Sequence, residues 1–111
     1  MTNEARRAAV AAYKERKATA GIYAVRCTAS GEVWVGAWVD LATIQNRLWF
    51  ALRQDAHPRR DVLEAWRRHG ESRFSFGILE TLEDEASPYV RAAQLKDRAQ
   101  HWREKLAAKP I

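Results

Sequence analysis

A chain of 111 residues holds one compact domain and is too short for two. Hydrophobic residues at 47% and charged residues at 30% exclude wholesale disorder. A single cysteine, Cys27, excludes an internal disulfide, and with no metal-type Cys/His spacing beside it a buried thiol in a reducing cytoplasm is expected. The formal net charge is +5, most of it from arginine. Arginine's planar fork pairs with phosphates and stacks on bases, so nucleic acid leads the partner classes. Against it stands a solvated basic surface that serves solubility alone. No apolar stretch approaches the roughly 18 residues of a membrane span, and no signal-peptide core opens the chain.

In chain order, residues 3–19 predict an alanine-rich helix capped by Asn3, with too weak an apolar stripe to pack firmly. Gly21 ends that pattern. Ile22 to Cys27 predict a strand, Thr28-Ala29-Ser30-Gly31 a turn, and Glu32 to Val35 the second strand of a hairpin. In the first strand Ile22, Ala24 and Arg26 share one face, and Tyr23, Val25 and Cys27 the other. Asp40 caps the next helix, whose buried stripe is Leu41, Ile44, Leu48 and Leu52. After His57-Pro58, Asp61 to His69 predict a short helix with Val62, Leu63 and Trp66 inward, stopped by Gly70. Arg73 to Leu79 alternate as a third strand with Phe74, Phe76 and Ile78 on one face. Glu83-Asp84-Glu85 form an acidic loop. Pro88 opens a last helix to about Leu106, with Val90, Leu95, Trp102 and Leu106 among its apolar positions.

The order α-ββ-αα-β-α, with Gly21-Ile22-Tyr23 followed by Trp34-Val35-Gly36, resembles the GIY-YIG nuclease superfamily. Ala65-Trp66, His69-Gly70 and Phe74-Ser75-Phe76-Gly77-Ile78-Leu79-Glu80 extend the likeness. It covers residues 21 to about 106. It implies a small three-stranded antiparallel sheet flanked by helices over residues 21–106. Residues 1–20 would be a helical extension and residues 107–111 a tail. It also implies cleavage of DNA with one divalent metal, Mg²⁺ or Mn²⁺. A tyrosine would activate water, a helix arginine would steady the phosphate, and a last-helix glutamate would hold the metal.

The motif positions carry this chemistry only in part. Tyr23, Gly36 and His57 match the pattern. Trp34 replaces the second motif tyrosine and has no hydroxyl. The family arginine falls on Ile44, the aromatic or histidine one turn later on Leu48, and the metal glutamate near Ala99. Arg47, one turn beyond Ile44, is the available substitute cation, and Asp97, Glu104 and Glu80 are the nearest carboxylates.

Tyr23, Arg47 and His57 are therefore the expected catalytic set. Trp34, Arg53, Arg59, Arg60, Arg67 and Arg68 are expected to hold nucleic acid, DNA before RNA, and no metal ligand is assigned. Each has an ordinary structural alternative: Tyr23 as a packed strand tyrosine, Trp34, Trp38 and Trp49 as core, His57 as a turn-fixing loop histidine. The function expected is nucleic-acid binding on a nuclease scaffold with weak or absent hydrolysis. The alternatives are an active metal-dependent endonuclease using Arg47, and a protein-interaction module built on the tryptophans.

Overall fold

The computed structural model describes residues 18–111. The helix expected over residues 3–19 falls almost wholly on the preceding residues, outside the described region. Seven elements follow: β1 (Gly21–Cys27), β2 (Val33–Trp38), α1 (Leu41–Arg53), α2 (Arg60–His69), β3 (Phe74–Thr81), α3 (Pro88–Leu106) and β4 (Lys109–Pro110). A one-turn 3₁₀ helix, Glu71–Arg73, precedes β3.

The sheet runs β3-β1-β2-β4. The antiparallel hairpin expected from the sequence is present, pairing Gly21 with Trp38 and Tyr23 with Gly36. Two details differ from the three-stranded expectation. Lys109–Pro110 join the sheet as a fourth strand, parallel to β2, where a tail was expected. And β1 pairs β3 with a shift, Ile22 opposite Glu80 but Tyr23 opposite Ile78, so Leu79 is an extra residue. That bulge turns both Leu79 and Glu80 toward α3, whereas strict alternation would separate them.

Alternation along β1 divides the core as read. Tyr23, Val25 and Cys27 join Trp34, Phe74 and the α1 and α2 residues Ile44, Leu48, Trp49, Leu52, Val62 and Trp66. On the opposite face Ile22, Ala24 and Val35 pack against Ala99 of α3, with Leu95, Trp102 and Leu106 half-buried around them. Two positions read as part of apolar faces are solvent-facing instead: Ile78 is 53% exposed near the end of β3, and Val90 is 40% exposed on the first turn of α3.

Local chemistry sets the helix ends. The Asp40 side chain accepts from the Ala42 N–H at 3.2 Å, and Ser87 from the Val90 N–H at 3.3 Å. Gly70 ends α2 at φ 84°, a conformation that strains other residues. None of the helices among the described residues is long and apolar enough to cross a membrane.

Candidate functional site

Tyr23 sits centrally on the α1–α2 face of the sheet, 4% exposed, its ring stacked on Phe76 at 5.5 Å. Its register partner is Gly36, and that pairing explains the glycine. A Cβ there would run into the Tyr23 hydroxyl and lie 2.7 Å from Cγ2 of Ile111. The hydroxyl makes no hydrogen bond among the described residues. No fully buried side-chain oxygen or nitrogen is left unpaired there, so this hydroxyl reaches solvent. Burial pushes the phenol up to about 12. At neutral pH the phenolate is then about one part in 10⁵, so Tyr23 acts as a hydrogen-bond donor and makes a poor general base.

Trp34 is a correction. It was expected to contact nucleic acid, but it is completely buried and stacks on Phe74 at 6.0 Å. Its Nε1–H donates to Asp61 Oδ2 at 3.1 Å, joining β2 to α2. Nothing of the ring is left for a base. Trp49 and Trp66 likewise serve the core, edge to face at 5.5 Å. The second motif tyrosine has thus been replaced by an internal pillar.

Arg47 is exposed on α1, and its guanidinium lies over the half-buried Trp38 ring, 4.8 Å from the centroid. No carboxylate among the described residues pairs with it. Trp38 belongs to the same sheet face as Tyr23, two residues along β2 from Gly36. Arg47 and Tyr23 therefore lie on the same face of the sheet. Ile44 and Leu48, at the family's polar positions, are 5% and 7% exposed and pack into the core beneath.

His57 lies in the α1–α2 connection. Its Nδ1 accepts from the Arg59 N–H at 3.0 Å, which fixes the turn around Pro58. Burial lowers its basicity, and with Nδ1 engaged it is a neutral Nε2–H tautomer. No described contact joins it to Tyr23 or Arg47, so the expected catalytic set is not drawn together by any contact.

The arginine cluster divides in two. Arg53 pairs with Glu71 through two hydrogen bonds, at 2.6 and 2.9 Å; Arg67 pairs with Asp55 in the same forked manner; and Arg59 reaches Asp61 at 3.2 Å. Arg60 and Arg68 are exposed with no carboxylate partner among the described residues. Among the described residues the expected interface keeps these two free guanidinium groups, with Arg47 on α1 as a third. Arginine was read as charge, whereas three of the five arginines in the cluster act as struts.

The residues for a metal do not fit. Glu80, the carboxylate carried by the third-strand motif, accepts from Arg98 at 2.9 Å and from Trp102 Nε1–H at 2.8 Å. The Arg98 hydrogen bond holds its carboxyl below the usual range. It faces α3, across the sheet from Tyr23. Ala99 is 3% exposed inside the α3 core. Asp97 and Glu104 sit on α3 as well, with Glu104 accepting from Gln100 at 3.2 Å. Among the described residues no three His, Cys, Asp or Glu side chains are grouped to hold an ion.

The sequence reading missed the Arg47–Trp38 stack and Ile111. The first joins an element to the strand before it, a distance that helical spacing along α1 does not report. The second requires knowing that β4 forms.

No family model matches the chain, and no curated protein matches it. Two solved structures resemble it. A mutant of the catalytic domain of the intron endonuclease I-TevI superposes with TM-score 0.68 at 25% identity, over 80% of this chain and 84% of that one. The catalytic domain of homing endonuclease I-TevI superposes with TM-score 0.67 at 23% identity, over 83% of this chain and 97% of that one. The strand order, the flanking helices and these superpositions together give the chain a GIY-YIG-like nuclease fold.

Proposed function

We propose that this chain binds nucleic acid, DNA in the first place, on a nuclease scaffold whose phosphodiester hydrolysis is weak or absent. The observation that carries the reading is the chemistry left around Tyr23. There stand a neutral phenol that donates and an unpaired guanidinium, over a floor of Ile44 and Leu48. Such a pair grips a phosphate oxygen and an anionic backbone. Among the described residues it lacks a group ionised near neutral pH to take a proton from water, and no carboxylates are grouped there to hold an ion. Arg60 and Arg68 add backbone charge from α2, and the nuclease-fold neighbours make nucleic acid the natural partner class.

The test is a cleavage and retention assay on labelled single-stranded, duplex and branched DNA, with Mg²⁺ or Mn²⁺ and an EDTA control. Uncut DNA whose retention weakens steeply with salt is the expected result. Metal-dependent cutting that disappears in Tyr23→Phe and Arg47→Ala would establish a working endonuclease with a relocated arginine and sink the proposal. Retention insensitive to salt would instead favour a protein partner.

A further inference from the structure

The Arg47–Trp38 stack has a property that ion pairing alone does not require. The guanidinium carbon lies over the Trp38 ring, 4.8 Å from its centroid, while the residue is exposed to solvent and its donors meet no carboxylate among the described residues. A planar cation held this way loses little freedom when a second flat ring is laid on it. Nucleobases stack on guanidinium planes as they do on aromatic rings. On the same sheet face, Tyr23 is 96% enclosed with its hydroxyl unpartnered at the surface, a fixed donor without an internal use. A stacking cation and a donor for a phosphate or sugar oxygen on one sheet face offer the two kinds of contact that a nucleotide takes. Arg47 is exposed, and a base reaches it only if free of its partner strand. Bases inside a duplex are stacked on their neighbours and turned inward.

We infer that Arg47, backed by Trp38 on the sheet face that also holds Tyr23, forms a platform for one unpaired nucleotide, so that the chain selects single-stranded over duplex nucleic acid. This rests on the nucleic-acid-binding reading and names its substrate class. Arg47 lends charge to the backbone of either form of substrate, as Arg60 and Arg68 do, whereas stacking over Trp38 adds a base contact only in the single-stranded one.

The test compares a fluorescein-labelled oligodeoxynucleotide without self-complementarity with its blunt duplex, by anisotropy, for the full chain and for Arg47→Lys, Arg47→Ala and Tyr23→Phe. Arg47→Lys keeps the charge and removes the plane, and an exposed helix position tolerates it without threat to folding. It is expected to weaken the single strand about tenfold, a typical worth for one stacked base, and to change the duplex and the salt slope far less, since the charge is kept. Tyr23→Phe is expected to weaken the single strand more than the duplex, by a smaller factor than Arg47→Lys. Equal loss for both substrates, or an Arg47→Lys protein indistinguishable from the parent, overturns the platform while leaving nucleic-acid binding in place. No salt-sensitive binding of either substrate by the parent chain overturns both.

Discussion

Gly36 has no side chain, and the placement of Tyr23 depends on that. In Gly36→Ala the new methyl meets the Tyr23 hydroxyl and the Ile111 Cγ2, both on the sheet face where Tyr23 is packed against Phe76. We expect a loss of about 1–3 kcal/mol in urea unfolding, the usual cost of overpacking. The Tyr23 phenol makes its own prediction. Its folded value is about 12 against 10.0 unfolded, so folding excludes the charged form. Through this group stability is unaffected below pH 10.0 and falls as pH rises from there toward 12, by about 3 kcal/mol in all. Tyr23→Phe should remove that alkaline decline while leaving neutral stability within about 0.5 kcal/mol, since the hydroxyl has no internal partner to lose. An unchanged alkaline decline in Tyr23→Phe would assign it to another group. Trp34 is the opposite case. In Asp61→Ala its buried Nε1–H loses its acceptor, at a cost of about 1–3 kcal/mol by the same unfolding measurement.

At the scale of elements, the bulge in β3 determines how α3 is held. By turning Glu80 to the α3 side, it gives one half-buried carboxylate both the Arg98 guanidinium and the Trp102 indole N–H. Glu80→Ala is expected to destabilise the chain by about 1–2 kcal/mol and to speed amide exchange in α3 more than in α1. Exchange that rises equally in both helices would mean that Glu80 does not anchor α3 specifically. Helices and the hairpin were legible in the sequence because their signals are local: Asp40 before apolar spacing, Pro88 opening the last helix, Gly70 closing the one before β3, β-branched and aromatic alternation in β1. The core on the Tyr23 face was legible for the same reason. The bulge was not, since the run from Phe74 to Leu79 alternates without a break and only the register against β1 reveals the extra residue. β4 was not legible either. Two residues carry no period, and they become a strand only because β2 offers an edge. In the site, the family resemblance put Ile44 where a cation was expected and Ala99 near the place of a carboxylate. The fates of Trp34 and of the paired arginines depend on partners 27 residues away or at other separations along the chain, which no local pattern encodes.

For the whole molecule, net charge overstates what is available to a polyanion. Arg53, Arg59 and Arg67 are engaged by carboxylates, and Arg60 and Arg68 are not. If binding is electrostatic, the slope of log affinity against log salt counts the free ones. Arg60→Ala and Arg68→Ala should each lower its magnitude by about 1, while Arg53→Ala and Arg67→Ala should leave it nearly unchanged. Equal effects from all four would mean that the ion pairs open on binding.

The two-residue β4 also governs how this sheet meets other chains. It caps the β2 edge with an exposed lysine and with Pro110 opposite Val35, and proline has no N–H to offer an incoming strand. Recruitment of a foreign strand is thereby discouraged on that side. The remaining edge is β3, where the extra residue at Leu79 bends the strand and spoils a long flat ladder. Both borders of the sheet are thus guarded, one by a proline and one by a misregister.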